Sequence, residues 1–158
     1  MTSKMRAVLA ALGLTFAMLA AAKAALEGVD NPPELLAVTM LTSMDQNQAK
    51  AIGLDRSPAE QVELLAQMGL NAGIRGFVCS PEEVANLRAL TGPDGILVTP
   101  GIRPAGAEIG DQKRIATPAG ALLQGASFLV VGRPITQAPD PAEAAEAILK
   151  EMASALEA

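Results

Sequence analysis

The chain has no histidine, tryptophan or tyrosine, and only three phenylalanines and one cysteine in 158 residues. Each absence removes a class of chemistry. Without histidine, Ser-His and Cys-His catalysis and the usual zinc sites cannot be assembled from this chain. Cys79 stands alone, so there is neither a disulfide framework nor a thiolate metal site. The scarcity of rings removes stacking platforms for bases. Cations are scarce too: 12 Lys and Arg against 17 Asp and Glu give a net charge of −5. That leaves no excess charge to neutralise a nucleic-acid backbone, and neither a nucleic-acid nor a membrane partner is expected.

What remains is globular in character, with 50% hydrophobic and 18% charged residues, a balance that excludes wholesale disorder. The length suits one domain with a sizeable core. The N-terminus allows two readings. Lys4 and Arg6 precede a nearly unbroken apolar run from Ala7 to Ala22 and then "AAKAA". That layout fits a secretory signal peptide. It fits equally an Ala- and Leu-rich helix packed on a sheet.

Beyond residue 30 the chain alternates. Apolar runs of strand length occur at "ELLAVTML" (34–41), "GIRGFVCS" (73–80), "GILVTP" (95–100) and "ASFLVVG" (126–132). Their near-continuous apolar character predicts parallel strands covered on both faces. Helix starts are legible between them: "SPAE" at Ser57, "SPEE" at Ser80, "TPAG" at Thr117 and "DPAE" at Asp140. Each offers a capping oxygen followed by proline at the first helical position, and Glu60, Glu83 and Glu143 stand at the reciprocal capping position. The order is helix, then four strands each followed by a helix: an α/β parallel architecture with right-handed crossovers.

An open parallel sheet and a piece of a (β/α)8 barrel share this pattern, and the loops separate them. Barrel phosphate sites are typically built by the loops after the last two strands. Here the two loops with anion-binding chemistry follow the third and fourth strands. One is "VTPGIRPAGAEIGDQKR" (98–114), the other "GRPITQAPD" from Gly132. The strands then number five to eight of a barrel, and the chain reads as the C-terminal half of a TIM barrel. It forms one partial domain over 1–158, with residues 3–27 as the helix after strand four and residues 34–158 as units five to eight.

A phosphate needs backbone N–H groups brought close and a cation of fixed fork geometry. Gly132 opens the backbone at a strand end and Arg133 supplies the fork. A Gly-Arg-Pro tripeptide by itself reads more simply as a turn with a solvated arginine. Two such loops at successive strand ends favour the phosphate. Arg103 is held between Ile102 and Pro104, and the Gln112 amide can both donate to an anion and accept from a base edge. Lys113 and Arg114 read as solvated, or as paired with Asp111 or Glu108.

The stretches "LLAVTMLTSMD", "GFVCSPEE", "LVTPGIRPAGAEIGDQKRIATPAGAL" and "LVVGRPITQAPDPAEAA" together resemble the C-terminal part of bacterial orotidine 5′-phosphate decarboxylases, from about Lys4 to Ala144. The resemblance implies a TIM barrel that converts orotidine monophosphate to uridine monophosphate and carbon dioxide, the last step of uridine monophosphate synthesis, with no metal or organic cofactor. Carried over by position, Arg133 and the Gly132 amide hold the 5′-phosphate. Gln112 reaches both phosphate and pyrimidine, and Arg103 belongs to the same set. Thr42 hydrogen-bonds the base, with Ser43 as a substitute. Binding energy from the remote phosphate then closes the loop over a dry, charged site. The resemblance also implies a homodimer, a cytoplasmic location and, for "SKMRAVLAAL", a barrel helix; export remains the alternative if residues 1–22 act as a signal.

The same resemblance implies a catalytic set of alternating Lys and Asp at the ends of earlier strands. The lysines here are at positions 4, 23, 50, 113 and 150, none of them ending a predicted strand beside an aspartate. No catalytic residue is therefore assigned in this chain. The expectation is a family member that retains the phosphate and base half of the site, is inactive alone and needs an N-terminal half. The alternatives are a non-catalytic binder of phosphorylated nucleotides or sugars, and one subunit of a split barrel.

Overall fold

A computed structural model of the chain describes residues 15–104, 110 and 113–157. Helix α1 is described over residues 15–24, with a turn at 25–28. The expectation of a helix from residue 3 falls, for residues 3–14, outside the described residues. The remaining elements are β1 (Leu36–Val38), α2 (Gln46–Ala51), α3 (Pro58–Asn71) and β2 (Gly76–Val78). After a single 3-10 turn (Pro81–Glu83) come α4 (Val84–Thr91), β3 (Ile96–Thr99), α5 (Pro118–Leu123), β4 (Phe128–Leu129), α6 (Arg133–Thr136) and α7 (Pro141–Leu156). The four strands are parallel and lie in chain order, β1-β2-β3-β4. Sequential neighbours joined by helices are what short right-handed crossovers produce.

Three of the four expected caps form. Ser57 and Glu60 make the reciprocal capping box of α3, the Thr117 side chain accepts from the Gly120 amide, and that of Asp140 accepts from the amides of Ala142 and Glu143. The fourth does not. Ser80 caps nothing through its side chain, because Glu83 is drawn inward to another partner. Helix α2, which the strand–helix alternation does not predict, starts at a capping box of its own between Asp45 and Gln48. The strands are shorter than the apolar runs that contain them. A strand extends only as far as its ladder does, and β4 pairs only through Val98–Phe128 and Thr99–Leu129.

The register divides the sheet into two faces. Ala37, Phe77, Leu97 and Thr99 point one way and are buried. Ala37, Phe77 and Leu97 form one core with Val62 and Ala66 of α3, Val84 and Leu87 of α4 and Ala121 of α5. The Phe77 ring lies on Gly69 of α3, where a Cβ would stand 2.6 Å from its Cε1. Leu36, Val38, Ile96, Val98 and Phe128 point the other way. Among the described residues nothing covers that face: Val38 is 59% and Phe128 60% exposed. Among the described residues β1 and β4 are open edges.

At the N-terminal end of the strands, Arg88 of α4 ties the loops together. Its Nη1 donates to the carbonyls of Gly92 (2.8 Å) and Gly95 (2.7 Å), and its Nη2 to Gly125 O (2.8 Å) and Ser127 Oγ (2.9 Å). One planar fork thus fixes the entrances to β3 and β4. In a parallel barrel that end serves stability, which leaves the opposite end for chemistry.

Candidate functional site

Because all four strands are parallel, the segments that follow them emerge at one end of the sheet. Thr42 follows β1, Ser80 and Glu83 follow β2, Arg103 and Gly110 follow β3, and Gly132 and Arg133 follow β4. Sequence spacing alone puts these residues up to 91 positions apart; the sheet gathers them.

The β3 loop is rooted by its own backbone. The Arg103 N–H donates to Ala116 O (2.9 Å), the Ala116 N–H to Gly101 O (3.4 Å), and Ile102 bridges to Ala116. Arg103 is buried, and its Nη1 donates to the Ile102 carbonyl at 2.8 Å. Further along, Gly110 has φ 65°, a left-handed conformation that glycine adopts without strain. It lies against the guanidinium of Arg133: a Cβ at Gly110 would stand 2.7 Å from Nη1 and 3.2 Å from Cζ. The two loops singled out for phosphate chemistry therefore meet at this arginine. Arg133 is exposed, and the space above Gly132 is open, with nothing within 4 Å of a Cβ placed there. Thr42 is buried, and its carbonyl accepts from the Lys113 N–H at 3.3 Å. Gln112 lies outside the described residues.

Lys113 and Arg114 differ from expectation. Lys113 Nζ pairs with Asp45 Oδ2 at 2.6 Å and also reaches Gln48 Oε1 at 3.2 Å. Its ammonium, with the Gln48 backbone N–H, holds the Asp45 carboxyl below the usual carboxylate range. Arg114 is not solvated: it is buried and pairs with Glu83. Neither partner is near in sequence, so the pairing is set by where the sheet delivers the chain. Local reading could have found Asp45 and Gln48 from their capping-box spacing, but not their cation.

Cys79, at the end of β2, is buried beside this ion pair. Burial pushes its thiol up to about 11 from 9.0, and the Glu83 carboxylate adds to the rise. The Thr99 hydroxyl and the guanidiniums of Arg114 and Arg88 oppose it. The neutral thiol fits the core, and nucleophilic chemistry is not its role. The folded form is thus the one that holds the proton, so stability from this group is whole below pH 9 and is lost as pH rises through 11. At about 1.4 kcal/mol per pKa unit, roughly 2–3 kcal/mol should vanish over that range. Urea midpoints should fall more steeply between pH 9 and 11 in the parent chain than in Cys79→Ala; parallel slopes would contradict the placement.

The groups gathered at the strand exits can hold an anion and orient a polar ring, and they include no cluster of His, Cys, Asp or Glu fit for a metal among the described residues. A cavity of about 300 Å³ lined by Lys23, Arg75 and Asp94 lies at the other end of the sheet, away from these loops. Among the described residues, no helix is long and apolar enough to cross a membrane.

Known proteins match this arrangement. A family model described as orotidine 5′-phosphate decarboxylase / HUMPS family matches residues 2–148. The orotidine 5′-phosphate decarboxylase of Rhodopseudomonas palustris (strain BisB5) is 56% identical over 126 residues, which is 80% of this chain and 54% of that protein. That of Aliivibrio fischeri (strain MJ11) is 50% identical over 141 residues, 88% of this chain and 60% of that protein. The crystal structure of the Lactobacillus acidophilus enzyme superposes with a TM-score of 0.68 at 43% identity, over 85% of this chain and 58% of that one. The orotidine 5′-monophosphate decarboxylase from Metallosphaera sedula, at 22% identity and a TM-score of 0.56, shares the fold. The chain thus spans a little over half the length of the relatives it matches, and its four strand–helix units are those of a TIM barrel. By sequence and by fold, the chain belongs to the orotidine 5′-phosphate decarboxylase / HUMPS family.

Proposed function

We propose that this chain is the phosphate- and base-binding half of an orotidine 5′-phosphate decarboxylase. The observation that carries the reading is the meeting of Gly110 and the Arg133 guanidinium, which joins the loops after β3 and β4 over an open strand end. Arg133 and the Gly132 amide take the 5′-phosphate, Thr42 takes the pyrimidine edge, and Gln112 and Arg103 complete the grip from the β3 loop. Charge-assisted bonds to a phosphate are about twice as strong as neutral ones, and they supply the binding energy that a closing loop converts into catalysis.

The chemistry itself requires a lysine ammonium to protonate the carbon that loses carbon dioxide, and aspartates whose field favours its departure. These come from the barrel's other half. The uncovered apolar face bearing Val38 and Phe128, and the open edges at β1 and β4, support this division. Four strands cannot close a barrel, and exposed edges are covered in stable proteins. The active form is therefore the complete eight-stranded barrel, working in the cytoplasm, where pyrimidine nucleotides are made.

Complementation tests this directly. The chain alone is expected to show no decarboxylation of orotidine monophosphate. Mixed or fused with the N-terminal half of the R. palustris relative, it should release carbon dioxide and form uridine monophosphate. Uridine monophosphate binding with no turnover in any such mixture would instead favour a non-catalytic binder, and loss of both would sink the reading.

A further inference from the structure

Among the described residues, one ion pair is almost wholly withdrawn from water. The side chains of Arg114 and Glu83 are 6% and 5% exposed, and Nη1 of the arginine donates to Oε1 of the carboxylate. The other carboxylate oxygen, Oε2, accepts from the Ser80 hydroxyl. The arginine's Nη2 donates to the carbonyl of Leu41 at 2.9 Å and, more distantly, to that of Met40 at 3.4 Å. Three strand exits therefore converge on a single guanidinium: Met40 and Leu41 after β1, Ser80 and Glu83 after β2, and Arg114 itself at the return root of the β3 loop. Three of the five binding groups of the proposed site, though not Gly132 or Arg133 after β4, are tied in sequence or by backbone bonds to these anchors. Thr42 follows Leu41 directly, and its carbonyl is held by the Lys113 N–H. Gln112 is two residues before Arg114. Arg103 is bound through its backbone to Ala116, two residues after it.

Stability is a weak reason for such a pair, since desolvating two charges costs about what their attraction returns. What a planar fork with several fixed acceptors does supply is geometry. We infer that the Glu83–Arg114 pair is a positioning device, setting the root of the β3 loop at a fixed distance from Thr42 so that the β3-loop groups and the β1-exit group grip one nucleotide together. Neither residue touches the nucleotide. The inference rests on the proposed nucleotide site, but its physical core, the coupling of loop root to β1 exit, does not.

Amide hydrogen exchange on the 158-residue chain is the test, because it needs no ligand. In Glu83→Gln, protection at the amides of Lys113, Arg103 and Ala116 should fall together by about tenfold or more, while the core amides of Leu97 and Val98 hold. In the complemented barrel the same variant should raise KM for orotidine monophosphate about tenfold with kcat changed less than threefold, since the groups doing the chemistry lie elsewhere. Unchanged protection at the three root amides would overturn the inference. If Glu83→Gln unfolds the whole chain, the double variant Glu83→Met with Arg114→Met keeps the volume and removes both charges. It should restore core protection but leave the root amides fast. Restoration of both would make the pair a mere contributor to stability and would also overturn the inference. Failure of the parent chain to bind uridine monophosphate would strike the proposed function and leave the exchange result standing.

Discussion

Arg133→Ala is expected to lower affinity for uridine monophosphate by two to three orders of magnitude, and to lower kcat/KM of the complemented barrel by at least as much. A phosphate dianion held by a guanidinium fork loses both charge and direction when the fork goes. Truncating one partner of a hydrogen-bonded charge pair costs about 2–5 kcal/mol, with about 1.4 kcal/mol for each tenfold. Lysine at the same position keeps the charge but not the fork and should recover only part of the loss. Gly110→Ala offers an independent approach to the same place. Its Cβ would press on Nη1 of Arg133 from a backbone with φ 65°, so binding should fall although no charge is removed. Calorimetric titration with uridine monophosphate reads all three variants. An Arg133→Ala chain that binds like its parent would end the phosphate assignment.

Phe77→Ala should be the most damaging core substitution, costing about 3–5 kcal/mol through lost burial and a residual cavity. Phe77 is fully buried against α3, and Gly69, on which its ring lies, has no side chain to fill the space. Against a typical total of about 5–15 kcal/mol, that is a large share, and the urea midpoint should drop by about 2 M. Phe128→Ala supplies the contrast. The same residue type, 60% exposed on the opposite sheet face, should cost well under 1 kcal/mol (about 0.5) in the isolated chain. In the complemented barrel, where that face becomes interior, its cost should rise several-fold. Equal costs for the two phenylalanines in the isolated chain would mean that the two faces have been assigned wrongly.

Much of this architecture is local, and locality explains what could be read without coordinates. The caps at Ser57, Thr117 and Asp140 are contacts between residues two or three apart, so the sequence order itself brings the partners together. The four apolar runs mark strands because a complete parallel barrel covers both faces, although only one face is covered among the described residues, and the glycine- and arginine-bearing ends of the last two runs mark the anion loops. The capping box of α2 was there to be read in Asp45 and Gln48, but it falls inside what strand–helix alternation treats as a connection.

Tertiary structure decided the rest. Lys113 reaches Asp45 across 68 positions and Arg114 reaches Glu83 across 31, and no local pattern distinguishes a solvated cation from one that a sheet delivers into its interior. Glu83 looks like a helix-capping glutamate from its spacing to Ser80; burial beside Arg114 gives it a stronger partner, and the cap is forgone. Cys79 reads as merely unpaired in sequence, whereas its raised thiol comes from the core around it. The strand ends themselves depend on neighbours: β4 is two residues long because its ladder to β3 holds only at Val98–Phe128 and Thr99–Leu129. The sequence by itself determined where the four strands and the longer helices between them lie, where the anion loops lie and which family they resemble, because those features are written in contacts a few residues apart. Which charges are buried, which face of the sheet is core and which loops meet at Arg133 were decided only when four parallel strands brought distant segments to one end.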